Sequence, residues 1–328
     1  MRADRHFTGL GQLLKAGFQP VFTRDVQKPI QWLCDNAGKS SQHRAEMDII
    51  DAHQHFWLLQ RGDYGWLTPE RASIYRDFLP ADLQPILAKH HIHGTVLVQA
   101  APTRAETDYL LSLAEQTPFI RGVVGWEDFT SPTAAQTISA LAGNPLLVGL
   151  RPMIQDIPQV DWMLGTALTP AFDALLAADL CFDALTLPQH LPALLQLATR
   201  HPDMRMVIDH GSKPRIAVNA FDGWAQHMTL VAAETSAYCK LSGLVTEARA
   251  DWKTSDLQPY VDHLLDTFGP ARLIWGSDWP VCILASSYER WVDTTQVLLQ
   301  GLSASERTAV MGGNAATVYL KRQSPNNR

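Results

Sequence analysis

From Met47 onward, short runs of Val, Ile and Leu alternate with longer stretches in which apolar residues recur every three or four positions. The runs are "DIIDAHQH", "GTVLVQA", "IRGVVGW", "LLVGLRPM", "LCFDALTL", "RMVIDHG", "AYCKLSG" and "LIWGSDWP". Their starts, from Asp48 to Leu273, are about 32 residues apart on average, the length of one strand-helix unit. Between them, "AETDYLLSLAEQ" places Leu110, Leu111 and Ala114 on one helical face, and "LPALLQLATRH" does the same with Leu191, Leu194, Leu195 and Ala198. Turn signals such as "GNP", "HPD" and "FGP" precede several runs. Eight strands alternating with helices predict a (β/α)8 barrel; an open doubly wound sheet is the alternative, because periodicity does not show closure.

Residues 1–46 lack this rhythm and end in a polar Ser, Gly and Lys-rich run. They are expected to be a peripheral extension, disordered or the product of an over-long start, ahead of a single barrel domain over 47–328. The first strand-helix connection is long and aromatic, "WLLQRGDYGWLTPERASIYRDFLP", as binding loops and lids tend to be.

Composition narrows the class. The chain is 46% hydrophobic and 18% charged, with a net charge of −6 spread along it, so no basic field favours nucleic acid. No stretch approaches the roughly 20 apolar residues of a membrane span, and no signal peptide is recognisable. Cys34, Cys181, Cys239 and Cys282 are far apart without CxxC spacing, which fits reduced thiols in the cytoplasm. Cys282, near Asp278, has a reactive thiol as its sharper reading and a small buried hydrophobe as its ordinary one.

In a barrel enzyme the chemistry sits at the C-terminal ends of the strands. His53 and His55 end the first run. Positions two apart on a strand share a face, so both imidazoles should project together, and Asp51 with them. Alone, such a pair is equally well two structural histidines. His210 ends the sixth run and Asp278, in "GSDWP", the eighth. Three histidines and one aspartate at strand ends supply donors that zinc or manganese accepts, and Asp278 is a candidate base for activating water. Arg151, ending the fourth run, could hold a carbonyl or hydroxyl oxygen, or form a salt bridge at the barrel mouth. Gln99, Glu127 and Asp128 are candidate partners for substrate hydroxyls. Trp57, Trp66 and Trp279 offer flat faces to a sugar ring or serve packing. His90, His91, His93, His201 and His227 read as surface or helix-end residues, and Asp183 as a core pairing within its strand.

Taken in order, "IDAHQHFW", "DYGWLTPE", "VGLRPM", "MVIDHGSKP", "CKLSGL" and "WGSDWPV" resemble the amidohydrolase superfamily, within it the lactonase group related to L-fuconolactonase and L-rhamnonolactonase. The resemblance spans Asp48 to about Leu320. It implies a barrel that hydrolyses a cyclic sugar ester, with His53, His55, His210 and Asp278 as core site and Arg151 holding substrate. It implies at most one divalent ion, because a bridged pair would need a lysine or carboxylate on strand four and a histidine on strand five, where this chain has Arg151 and Thr186. Some lactonases of the group work without metal, the histidines then donating hydrogen bonds. A metal-dependent decarboxylase on the same scaffold and a non-catalytic sugar-binding barrel are the rival functions.

Overall fold

The computed structural model describes residues 48–320. Each apolar run contains a strand: β1 (Ile50–Gln54), β2 (Gly94–Val98), β3 (Ile120–Gly125), β4 (Leu147–Leu150), β5 (Cys181–Ala184), β6 (Met206–Ile208), β7 (Tyr238–Leu241) and β8 (Leu273–Trp275). All are parallel and pair in sequence order. The seam from β8 back to β1 closes just past the end of β8. There the His55 N–H donates to the Trp279 carbonyl and the Asp278 N–H to the His53 carbonyl, each at 2.7 Å. The sheet returns on itself, so the architecture is the barrel and not the open sheet.

Helices α1 (Pro80–Lys89), α2 (Arg104–Gln116), α3 (Ala134–Leu141), α4 (Thr169–Ala177), α5 (Leu191–Arg200), α6 (Asp222–Glu234), α7 (Thr254–Phe268) and α8 (Tyr288–Leu298) follow the successive strands, and a short α9 (Ala304–Thr308) follows α8. The sequence dictates their limits. The Thr103 hydroxyl accepts the Glu106 N–H to start α2, and the Ser287 hydroxyl accepts the Arg290 N–H to start α8. The periodic residues Leu110, Leu111, Ala114, Leu191, Leu194 and Ala198 are buried, and Leu195 is partly so. No helix among the described residues is long and apolar enough to cross a membrane.

Period-two alternation sorts each strand's side chains into two cores. Leu97, Val123, Leu147, Phe182, Leu241 and Trp275 pack outward against the helices. Val96, Val98, Val124, Val148, Val207 and Ile274 fill the interior, joined there by Ala315, Val318 and Tyr319 of the C-terminal stretch. That stretch lies at the N-terminal end of the strands, since the Val318 carbonyl contacts Cys181, the first residue of β5. The opposite end is left to the polar strand termini. The long β1–α1 connection lies over β1 and β2. Trp57 and Phe78 exchange backbone hydrogen bonds at 3.0 Å, and the Trp66 indole N–H donates to the Ala100 carbonyl at 2.7 Å. The expectation for residues 1–46 lies outside the described residues.

Candidate active site

His53, His55, His210 and Asp278 come together, and all four are buried. The His53 and His55 Nε2 atoms are 3.2 Å apart. Asp278 Oδ1 is 3.3 Å from His55 Nε2, 3.6 Å from His53 Nε2 and 4.0 Å from His210 Nε2. Two of these residues stand in the left-handed region, His210 at φ 55° and Asp278 at φ 57°. Non-glycine residues there cost about 1–2 kcal/mol each, which surrounding contacts must offset. His210 is held by its Nδ1 against the Ser242 hydroxyl at 2.8 Å, and Asp278 by its backbone bond to His53.

The donor set fits a metal ion. The His55 Nδ1 lies 2.7 Å from the Val98 carbonyl, which can only accept. The ring proton is therefore on Nδ1, and in the neutral ring Nε2 aims a lone pair at Asp278 Oδ1. Two acceptors 3.3 Å apart call for a cation between them. Donors sharing a tetrahedral ion through bonds of about 2.0–2.1 Å stand roughly 3.3 Å apart, close to the spacings among His53, His55 and Asp278. Those three residues form one candidate metal cluster, and His53, Asp209 and His210 a second that shares His53. The Nδ1 contact to a carbonyl is the outer-shell arrangement that orients a ligating histidine.

Burial sets the charges. It pushes the His210 imidazole down to about 4, so that ring is neutral at pH 7. Burial and then the Lys240 ammonium hold His53 well below the ordinary histidine range. For Asp278, burial acts upward, but His210 first and then His55 outweigh it and leave the carboxyl below its usual range, ionised.

The other sequence candidates divide. Arg151 is in the site: its Nη1 is 3.1 Å from Asp209 Oδ2 and 3.4 Å from His53 Nε2, and its Nη2 donates to the Gln99 carbonyl. Gln99 returns a side-chain bond to the Arg151 carbonyl at 2.8 Å. Arg151 Nε and Gln99 Oε1 are buried with no protein partner. Glu127 and Asp128 lie farther around the mouth and are engaged. Glu127 Oε2 takes an Arg104 N–H at 3.3 Å, and Asp128 Oδ1 takes both donors of Thr130 in a tight turn. Trp57 and Trp279 do not offer open ring faces. Trp57 packs among Tyr64, Trp66 and Phe78 and donates to the Arg76 carbonyl, while Trp279 packs on Phe56 and Phe78. Trp66 is only half-buried and lies edge-on to Trp57.

Asp51 corrects the expectation that it points with the histidines. The β1–β2 register shifts between Asp51 and Gln54, which breaks the alternation, and Asp51 turns toward α8. There it accepts the Tyr288 hydroxyl at 2.9 Å and the Ser277 N–H at 2.8 Å, bracing the loop that carries Asp278. Burial raises its carboxyl to about 6. The Cys282 thiol is buried and pushed well above the usual thiol range, which fits the packing reading of that residue.

Lys240 escaped the sequence reading. It is fully buried in β7, with Nζ 2.6 Å from Asp183 Oδ2, 3.0 Å from Asp209 Oδ1 and 3.2 Å from His53 Nδ1. Asp183 pairs within the core as expected. The signal for Lys240 was present in "AYCKLSG", since lysine in the middle of a strand buried on both faces is rare unless paired.

The closed parallel barrel carries a histidine- and aspartate-lined mouth, and a family model described as amidohydrolase matches residues 50–321. The chain belongs to the amidohydrolase family. Among its relatives, an L-fucono-1,5-lactonase of Burkholderia ambifaria is 46% identical over 274 residues, covering 82% of this chain and 94% of that one. An L-fucono-1,5-lactonase of Burkholderia multivorans is 38% identical over 296 residues, covering 82% and 95%. A solved amidohydrolase from Burkholderia multivorans with bound zinc superposes with a TM-score of 0.79 at 36% identity, covering 83% of this chain and 99% of that one.

Proposed function

We propose that this amidohydrolase opens the ring ester of an aldonolactone, L-fucono-1,5-lactone or an L-rhamnonolactone-like compound, to the free sugar acid. The observation that carries the reading is 46% identity along 94% of a protein named for that reaction. The chemistry of the quartet is compatible with it. Asp278, ionised and buried, takes a proton from a water that attacks the lactone carbonyl. The developing oxyanion is met by the imidazoles of His53 and His210 together with Arg151, while His55, with its proton on Nδ1, turns a lone pair to the centre and could serve there only through a bound ion. A single divalent ion, zinc or manganese, held by His53, His55, His210 and Asp278, would supply Lewis acidity at the same place. Ring opening releases an alkoxide, to which protonated Asp278 or a neighbouring histidine returns the proton.

The buried, unpartnered Gln99 Oε1 and Arg151 Nε suit substrate hydroxyls, with Glu127 and Asp128 reached by the far end of the sugar. Trp57 and Trp279 shape the roof above them. Cys181, Cys239 and Cys282 are free thiols, and on that ground we place the reaction in the cytoplasm.

A panel of aldonolactones followed with a pH indicator tests the reading, using chelator-treated protein and protein resupplied with zinc or manganese. Fastest acid release from L-fucono-1,5-lactone is expected. Silence across the panel would overturn it: carbon dioxide release from a carboxylated aromatic would then favour a decarboxylase, and sugar binding without turnover a non-catalytic barrel.

A further inference from the structure

Lys240 pairs in register with Ile274, whose side chain lies in the barrel interior, and it is sealed from solvent. An ammonium has three N–H donors and no acceptor. Two of its neighbours, Asp183 Oδ2 at 2.6 Å and Asp209 Oδ1 at 3.0 Å, are carboxylates that secure its charge. The third is His53 Nδ1 at 3.2 Å. A ring nitrogen receives an ammonium proton only if it carries a lone pair, and the proton of a neutral imidazole then sits on Nε2. Two groups face the His53 Nε2: an acceptor, the His55 Nε2 lone pair at 3.2 Å, fixed there by the His55 contact to Val98, and a more distant donor, the Arg151 Nη1 at 3.4 Å, which is also engaged by Asp209 at 3.1 Å. Lys240, His53, His55 and the Val98 carbonyl thus form one directed chain of donors. Tyr319 steadies its start by donating to both Asp183 oxygens, at 3.0 and 2.8 Å.

The opposite tautomer is also provided for. Asp209 Oδ1 lies 3.5 Å from His53 Nδ1. It faces the Lys240 Nζ at 3.0 Å, and a carboxylate oxygen has a second lone pair, so it can also accept an Nδ1 proton. With the proton there, the His53 Nε2 presents its lone pair to the centre.

We propose that Lys240 is a positioning residue that sets the tautomer of His53. Without a metal, it keeps the proton on Nε2, making His53 a donor toward a carbonyl oxygen. When zinc is held, the same proton moves to Nδ1 and is received by Asp209, with no net proton gained or lost. The lactone enters this inference only through the proposed function; the tautomer itself does not depend on it.

Nuclear magnetic resonance of the full chain carrying 15N-histidine tests it, the His53 signals being assigned by their loss in His53→Gln. In chelator-treated wild type the proton is expected on His53 Nε2, and after zinc addition on Nδ1. In Lys240→Met without zinc it is expected on Nδ1 already. Zinc affinity of that variant, read by competition with a chelating dye, is expected to rise about tenfold or more, within the range typical of outer-shell changes. A wild-type His53 protonated on Nδ1 without metal would overturn the proposal. So would a folded Lys240→Met with lowered thermal stability but the wild-type ring pattern, the behaviour of a purely structural lysine. If Lys240→Met does not fold, the two wild-type spectra decide. Because none of these readouts uses a lactone, failure of the lactonase reading would appear separately, in the aldonolactone panel.

Discussion

Gly243→Ala should damage the site from behind. Gly243 follows β7 at φ +62°, and an ideal Cβ there would lie 2.6 Å from His210 Cγ, with the ring Nδ1 closer still. Carbon atoms in contact prefer about 3.5–4.0 Å, so the imidazole must retreat by roughly 1 Å. It has little room to do so, being fixed by its left-handed backbone and by Ser242. The backbone strain costs about 1–2 kcal/mol and the overpacking about 1–3 kcal/mol more. A displacement of about 1 Å in a catalytic group costs on the order of 100-fold in rate. Gly269→Ala is the control, because Gly269 has φ +68° and open space around its would-be Cβ. Urea unfolding and lactone turnover separate the effects. Both variants should lose stability, and only Gly243→Ala should lose about 100-fold in kcat/KM. A folded Gly243→Ala with wild-type kcat/KM would refute the placement of His210 in the working site.

Three further outcomes follow from the same geometry. Arg151→Met should lower kcat/KM on the lactone and raise KM, while Lys240 still neutralises Asp209; unchanged values would remove Arg151 from the site. His210 is lowered from 6.5 to about 4 in the folded protein, so between those values the unfolded chain binds the extra proton. This group alone should therefore cost the chelator-treated protein roughly 3 kcal/mol as pH drops from about 6.5 toward 4, with His53 acting in the same direction and Asp51, raised to about 6, opposing it; the wild type should lose stability relative to His210→Gln across that window, and a constant difference between the two would contradict it. We also propose that residues 47–328 suffice, so a chain starting at Met47 should match the full chain in melting temperature and turnover, and insolubility of the shorter form would count against it.

The barrel was legible because its strands are apolar on both faces, β-branched residues inward and Leu or aromatic residues outward, in runs that repeat with each strand-helix unit. His53, His55, His210 and Asp278 were legible because barrel chemistry gathers at strand ends, where a polar residue closing an apolar run stands out. Lys240 was missed because it sits mid-strand rather than at a strand end, and its partners come from elsewhere in the chain, Asp183 from β5 and Asp209 from just past β6. Asp51 was misdirected because strict alternation was assumed through a register shift that one strand's sequence does not reveal. The tryptophans pointed to the long β1–α1 loop, but a Trp in an aromatic segment reads the same whether it faces a ligand or, like Trp57, other rings.

The central claim is that an ionised Asp278 surrounded by three histidines drives lactone hydrolysis. The most direct measurement is single-turnover hydrolysis of L-fucono-1,5-lactone by Asp278→Asn, with zinc content and melting temperature recorded on the same sample. Asn keeps the shape but cannot take the proton from water, so the rate should fall by at least about 100-fold, within the usual range for a general base, while the fold persists. A folded Asp278→Asn that turns over at near the wild-type rate would contradict the account.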